Sequence, residues 1–215
     1  LRQTFLMTSD LKKDRWHPLQ GKELRNCTVG VVGVGSIGKE VIKRLQPFGS
    51  KIIGYGRTWD EQFALQHSVK RVTLKELMAS SDIVTVHLPL SPETENIISA
   101  DLIATMPKES IIINTSRFGV IDNNAVANAL REKRLSGAAI DVFHESKRVA
   151  PYDQFDNVIL TPHIGSHTFE TRKNMEEAAV TNVIMHKSLA EISNNDEIKK
   201  ILEHVKKHNI HLKNN

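Results

Sequence analysis

The sequence predicts an α/β protein built on a doubly wound parallel sheet with helices on both faces. Short apolar runs alternate with helical patterns along residues 28–190, and this alternation is typical of strand–helix–strand units. The apolar runs are rich in valine and isoleucine, and most of them lack alternating polar residues. That pattern is expected for strands covered on both faces.

The same patterns give the order of the elements. Six runs are predicted to be strands: 28–33, 51–55, 82–88, 110–114, 137–142 and 157–161. Helical patterns predict helices at 37–48, 60–66, 74–80, 99–105, 122–134 and 167–190. We therefore expect a connecting helix and arm at 1–27, a sheet domain at 28–166 and a C-terminal helical segment at 167–215.

Composition narrows the class of protein. The chain has 215 residues with 40% hydrophobic content, and no apolar run approaches the roughly 18 residues of a membrane span. No signal-peptide pattern precedes the domain, and the single Cys27 predicts a buried small hydrophobe. The net charge of +4 comes from scattered basic residues with only 5% aromatics, which argues against nucleic-acid binding. We expect a cytoplasmic globular protein.

Three glycines follow the first predicted strand, in the stretch TVGVVGVGSIGKE at 28–40. Gly33 would form the tight turn, Gly35 would let the backbone approach a pyrophosphate, and Gly38 would let the helix pack closely on the strand. The amino end of that helix would face the phosphates with free N–H groups. This setting predicts a Rossmann-type dinucleotide site; the alternative is a merely structural turn.

The end of the second predicted strand bears on which dinucleotide is bound. An acid about 20 residues after the glycines would bind the ribose 2′-hydroxyl of NAD, but the segment reads GYGRT and Gly56 stands there. Arg57 and Thr58 follow, and a guanidinium with a hydroxyl suits a 2′-phosphate. The sequence therefore favours NADP(H) over NAD(H). The alternative for Arg57 is a solvent-exposed loop residue.

Further motifs occur in a fixed order along the chain. They are RWHPLQGKELRN, VGVGSIG, VTVHLPLSPETENII, IINTSRFGVIDNNAV, GAAIDVF and NVILTPHIGSHTFETR. Together, over residues 14–186, they resemble the D-isomer-specific 2-hydroxyacid dehydrogenases, which include phosphoglycerate dehydrogenases and glyoxylate/hydroxypyruvate reductases. The resemblance implies hydride transfer between a nicotinamide cofactor and a small 2-hydroxy or 2-oxo acid.

The resemblance also implies two catalytic roles. Arg117 in NTSRFG matches the arginine that grips the carboxylate of the acid, and it follows a strand end, where open parallel sheets bind ligands. His163 in TPHIGS matches the general acid/base, a role that suits an imidazole because it titrates near neutral pH. A surface ion pair for Arg117 and a structural role for His163 are the alternatives.

Cofactor contacts and assembly follow from the same resemblance. Asp141 matches the residue that holds the nicotinamide carboxamide, with a structural cap as the alternative. The other implied cofactor contacts are Ser36, Ile37, His87, Leu88, Pro89, Thr94, Thr115, Ser116 and Gly165. No histidines show metal-ligand spacing, so no metal site is predicted. The family's dimer contact lies mostly in the cofactor domain and the RWHPLQGKELRN arm, which leads us to expect a homodimer.

Two departures from the family pattern affect the functional prediction. The glutamate that pairs with the catalytic histidine normally stands three residues after the phenylalanine of DVF, but that offset from Phe143 falls on Ser146, and Glu145 comes one position early. Either the loop is shifted by one residue so that Glu145 pairs with His163, or His163 lacks a carboxylate partner. The family's substrate domain is also built mainly from residues that precede this region, so we expect only one wall of the cleft here.

Three functions remain open from the sequence. The first is the NADP(H)-dependent dehydrogenase or reductase. The second is a catalytically silent dinucleotide-binding module, such as a redox sensor or corepressor, which the misplaced glutamate favours. The third is a structural domain that has lost its cofactor, against which the glycines and Arg57 argue.

The C-terminal tail, NNDEIKKILEHVKKHNIHLKNN, matches nothing in the family pattern. Its apolar residues at helical spacing predict a helix packed on the body or on a partner subunit. They are Ile198, Ile201, Leu202 and Val205. The alternative is a membrane-surface or regulatory helix, against which the short apolar face argues.

Overall fold

The computed structural model describes residues 1, 3–144 and 151–186, together with Asp196, Lys200 and Glu203. The chain divides into two compact units, Leu1–His163 and Ile164–Asn215. Glu145, Ser146 and the helix predicted around 198–205 lie outside the described residues. The three-part division predicted at 1–27, 28–166 and 167–215 stays a prediction.

A seven-stranded parallel sheet forms the centre of the described part of the first unit. In chain order the strands are β1 Thr28–Val32, β2 Lys51–Tyr55, β3 Lys70–Arg71, β4 Ile83–Val86, β5 Ser110–Asn114, β6 Leu135–Ile140 and β7 Val158–Leu160. Their order across the sheet is β3-β2-β1-β4-β5-β6-β7. The chain winds outward from β1 to β3, returns to β4 beside β1, and then winds outward to β7. This is the doubly wound topology that the sequence predicted.

Helices connect most of the strands. They are α1 Thr4–Leu11, α2 Ser36–Leu45, α3 Glu61–Gln66, α4 Leu74–Ser80, α5 Ala100–Thr105, α6 Asn123–Arg131 and α7 Phe169–His186. Four of these helices begin at a side-chain cap that the sequence supplies, because an Asp, Ser or Thr oxygen accepts a hydrogen bond from a first-turn amide. The caps are Asp60, Thr73, Ser99 and Asp122.

The strands are buried on both faces, as their continuous apolar runs predicted. Val31 and Val32 are both fully buried, yet they pack into two different apolar clusters on opposite sides of the sheet. Cys27 is buried in the same cluster as Val31, which confirms the small-hydrophobe prediction. No helix in the described residues is long and apolar enough to cross a bilayer.

Several boundaries differ from prediction for local reasons. β3 was missed because its two residues, Lys70 and Arg71, are exposed and carry no apolar signal. The helix predicted at 37–48 ends at Leu45 and continues as a 3₁₀ turn that contains Pro47. The helix predicted at 122–134 ends at Arg131, because Lys133 adopts a left-handed φ of 57°.

Candidate functional site

The predicted site residues converge at one edge of the sheet. All strands are parallel, so their carboxyl ends lie together. Gly33, Arg57 and His87 follow β1, β2 and β4. Arg117 follows β5, Asp141 follows β6, and His163 follows β7. Gly165 belongs to the second unit.

Two of the three glycines are required by the packing of the protein itself. Gly33 has a φ of 96°, and a Cβ there would lie 2.8 Å from the carbonyl carbon and oxygen of His87. A Cβ at Gly38 would lie 2.1 Å from the carbonyl oxygen of Gly33. The tight turn and the close helix–strand packing predicted for these positions are therefore present.

Gly35 differs from the other two glycines. It is exposed, and a Cβ added there would meet no protein atom within 4 Å. Gly35 is also the N-cap of α2, and no side chain caps that end. The amino end of α2, with exposed Ser36 and Ile37, thus faces open space with free amides, an arrangement that suits a phosphate group.

The loop after β2 crowds the position at which NAD-binding proteins place an acid. A Cβ at buried Gly56 would lie 3.1 Å from the carbonyl oxygen of Thr58. Asp60, the first carboxylate downstream, accepts a hydrogen bond from the Phe63 amide and pairs with Lys39 at 2.5 Å. The Asp60 carboxylate is therefore already bonded to residues of α3 and α2. Arg57 and Thr58 are both exposed at this edge.

The loop after β4 lies within electrostatic reach of the loop after β2. A hydrogen bond from the Ser91 hydroxyl holds the pKa of Glu93 below its usual value, and the charge of Arg57 acts in the same direction. Thr94, a predicted cofactor contact, folds this loop: its hydroxyl donates to the Pro89 carbonyl at 2.6 Å and accepts from the Ser91 amide at 2.8 Å. Leu88 is half-buried and Pro89 is exposed.

His87 joins the ends of β4 and β5. Its Nε2 lies 3.0 Å from the hydroxyl of Thr85, and its Nδ1 lies 3.5 Å from the hydroxyl of Thr115. Burial lowers the pKa of His87 to about 4. The imidazole is therefore neutral at physiological pH and gives this edge no positive charge.

A buried amide shapes the loop that carries Arg117. Asn114 is fully buried, and its Oδ1 accepts from the amide and the hydroxyl of Ser116 at 3.0 and 2.8 Å. Its Nδ2 donates to the carbonyl of Arg117 at 3.0 Å. The Arg117 side chain is exposed, and its Nη1 donates to the Ser116 carbonyl at 2.7 Å. The guanidinium is therefore available to a carboxylate at this edge.

Asp141 and His163 complete the edge. Asp141 is 6% exposed, and its Oδ1 accepts from the Thr161 hydroxyl at 2.6 Å. Its amide donates to the Asn114 carbonyl at 3.0 Å, which ties β6 to β5. His163 is exposed, has a φ of 55°, and donates its amide to the Thr161 carbonyl at 2.9 Å. Strain of this kind is common at functional sites.

The structure also shows polar residues that the sequence analysis missed. They are Asn114, Asn123, Tyr152 and Thr161, each of which bonds a residue in or next to the loops of this edge. The signal for Asn114 was present, because a buried strand rarely ends in a fully buried amide without a role. In the part of the chain that the structure describes, no cluster of three potential metal ligands is found.

A further cavity in the described part of the first unit lies elsewhere. It measures about 560 Å³ and lies between α1 and one face of the sheet, where Ile111 and Ile113 are its apolar floor. Its polar rim comes from Asp82, Glu109 and Asp156, at the amino ends of strands. It is therefore separate from the edge that carries Arg117 and His163.

Comparison with known proteins identifies the family. Residues 1–165 match the model of the D-isomer specific 2-hydroxyacid dehydrogenase, NAD binding domain. The chain belongs to this family. The resemblance carried by the sequence motifs is thereby confirmed.

Relatives of known name fall within the same family. The chain is 41% identical over 175 residues to a glyoxylate reductase of Thermofilum pendens, covering 79% of this chain and 51% of that protein. It is 41% identical over 170 residues to a D-3-phosphoglycerate dehydrogenase of Methanocaldococcus jannaschii, covering 77% of this chain and 32% of that one. The chain thus spans about half the length of the glyoxylate reductase it matches.

Solved structures of this dehydrogenase family share the fold. One is a D-isomer specific 2-hydroxyacid dehydrogenase from Xanthobacter autotrophicus Py2 in complex with NADPH and MES (TM-score 0.70, 30% identity, 85% of this chain and 77% of that chain). Another is a D-lactate dehydrogenase with NAD+ from Lactobacillus jensenii (TM-score 0.77, 27% identity, 85% of this chain and 60% of that chain).

Proposed function

We propose that this chain supplies the cofactor half of an oxidoreductase that transfers a hydride between NADP(H) and a small 2-hydroxy or 2-oxo acid. One observation carries the proposal. The open cradle at Gly35, Arg117 and His163 lie along the same carboxyl edge of one parallel sheet. A dinucleotide that begins at the α2 amino end and extends along this edge would bring its reactive end toward the loops after β5 to β7.

The described residues fit the cofactor. The open position at Gly35 and the uncapped start of α2 suit the pyrophosphate. Asp141, at the end of β6, would receive the carboxamide. Arg57 and Thr58 suit a 2′-phosphate, and the crowding at Gly56 disfavours an acid that would select NAD. The bound nicotinamide would supply the hydride chemistry.

Arg117 and His163 would act on the substrate. The Arg117 guanidinium would bind the carboxylate of a 2-oxo acid through two parallel hydrogen bonds and orient its carbonyl. As hydride reaches the carbonyl carbon, the His163 imidazole would give a proton to the carbonyl oxygen and so complete the 2-hydroxy acid. In the oxidation direction His163 would take that proton back. Glyoxylate, hydroxypyruvate and phosphohydroxypyruvate fit this chemistry.

Glu145 is proposed as the carboxylate that supports His163, on the family pattern alone. A neighbouring carboxylate would favour the protonated imidazole and fix its tautomer. The family pattern also supports a homodimer formed through this domain. The alternative function is a catalytically silent NAD(P)-binding module, which the one-residue displacement of Glu145 favours.

The decisive experiment for this proposal is NADPH oxidation with glyoxylate, hydroxypyruvate or phosphohydroxypyruvate as substrate. We expect turnover that falls at least about 100-fold in His163→Asn and in Arg117→Ala, because each removes a group that acts in the transition state. Arg131→Ala, which removes an exposed arginine of α6, is the matched control and should keep full activity. Tight NADPH binding without turnover would refute the reductase and support the silent module.

A further inference from the structure

The turn that follows Arg117 is held by buried polar side chains from other parts of the first unit. The turn is the 3₁₀ helix Phe118–Val120. Asn123, which is 8% exposed, donates its Nδ2 to the carbonyl oxygens of Phe118 at 2.9 Å and Ile121 at 2.8 Å. Tyr152 is fully buried and donates its hydroxyl to Asn123 Oδ1 at 2.8 Å.

The Tyr152 hydroxyl determines which way the Asn123 amide points. A carboxamide has one accepting and one donating end, so a donor on Oδ1 directs the NH₂ group toward the carbonyls of Phe118 and Ile121. Burial raises the pKa of the Tyr152 phenol above its usual value. The hydroxyl therefore keeps its proton at every pH at which the protein would be assayed.

The same turn is in contact with His144. The rings of His144 and Phe118 meet edge-on with their centroids 6.1 Å apart. His144 thus contacts the turn directly, and Tyr152 acts on it through Asn123. On the other side of Arg117, Asn114 holds the Arg117 carbonyl at 3.0 Å. The peptide that carries the guanidinium is therefore fixed from both directions.

We propose that Asn123 and Tyr152 are positioning residues for Arg117. They fix the backbone beside the guanidinium and thereby set the affinity for the carboxylate of the 2-oxo acid, without contacting substrate or cofactor. The substrate half of this inference rests on the proposed function. The rigidity of the turn does not depend on the proposed function and can be measured without substrate or cofactor.

Tyr152→Phe tests the rigidity first. The variant keeps the volume of the ring and removes only the hydroxyl. We expect faster deuterium exchange of the amides of 117–121 in the ligand-free chain, with no change in β2, which lies in a distant part of the sheet. Ile103→Val is the matched control, because Ile103 lies in the same apolar cluster as Tyr152 and makes no bond to Asn123. Unchanged exchange at 117–121 would overturn the proposal.

Steady-state kinetics of the same variant test the link to the substrate. We expect the KM for the 2-oxo acid to rise about fivefold, the effect of one hydrogen bond of roughly 1 kcal/mol, while kcat and the NADPH affinity stay within about twofold. When Arg117→Lys is already present, Tyr152→Phe should no longer raise the KM, because Tyr152 acts only through the Arg117 guanidinium. An unchanged KM despite faster exchange would overturn the proposal. Faster exchange in a chain that reduces no 2-oxo acid would support the positioning of the turn and refute the proposed function instead.

Discussion

His87 shows how burial fixes the charge of a residue at the candidate site. The imidazole lies between two threonine hydroxyls, and burial lowers its pKa from 6.5 to about 4. The family resemblance implies only that His87 contacts the cofactor. The structure adds a role for the side chain, which joins the ends of β4 and β5.

The depressed pKa of His87 predicts a specific pH dependence of stability. Between pH 6.5 and about 4 the unfolded chain binds a proton at this residue and the folded chain does not. Folding stability should therefore fall as the pH falls through this window, by up to about 3 kcal/mol. His87→Asn, which does not titrate, should lack this component in urea unfolding measured at pH 7 and pH 4.5. Equal pH dependence of the two proteins would contradict the assignment.

The residues named from the sequence and those missed differ in a physical way. Gly33, Arg117 and His163 lie in short local motifs whose ligand chemistry can be recognised from a few neighbouring residues. Tyr152 and Asn123 bond to each other across 29 positions of the chain. No local pattern predicts such a partner, because the contact depends on the tertiary fold. The residues that would contact a ligand were therefore easier to predict than those that hold them.

At the scale of elements, the packing of α2 on β1 depends on one missing methyl group. The carbonyl of Gly33 occupies the space where a side chain at Gly38 would begin. Gly35, three residues earlier, has open space instead. The absence of a side chain at Gly38 is thus required by the fold, whereas at Gly35 it would be required only by a ligand.

This difference predicts opposite outcomes for two alanine variants. Gly38→Ala should lower the free energy of unfolding by about 3 kcal/mol, because α2 must move away from β1. Gly35→Ala should change stability by less than about 1 kcal/mol and yet weaken NADPH binding at least about tenfold. Thermal unfolding and fluorescence titration of both variants check this. Full NADPH affinity in Gly35→Ala would show that the cradle is not a phosphate site.

The strands and helices were predictable where burial or capping leaves a mark in the sequence. The apolar runs located six of the seven strands described, and the helical pattern at 74–80 matched both ends of α4, which begins at the cap Thr73. β3 was not predictable, since its two exposed residues pair only because β2 lies beside them. Chain reversals such as Lys133, with a left-handed φ of 57°, likewise depend on tertiary context.

At the scale of the whole molecule, one topology explains why distant motifs belong to one site. Because the sheet is doubly wound and parallel, residues that follow β1, β2, β4, β5, β6 and β7 meet along a single edge. The chain covers 51% of the length of its Thermofilum pendens relative. We propose that this edge is a dinucleotide site in which Arg57 favours the 2′-phosphate.

Calorimetric titration of the chain with NADPH and, separately, with NADH tests that claim most directly. We expect micromolar binding of NADPH and binding of NADH at least about tenfold weaker, a difference of about 1.4 kcal/mol. In Arg57→Ala the preference should disappear through loss of NADPH affinity alone. Failure to bind either dinucleotide, or tighter binding of NADH than of NADPH, would contradict the account.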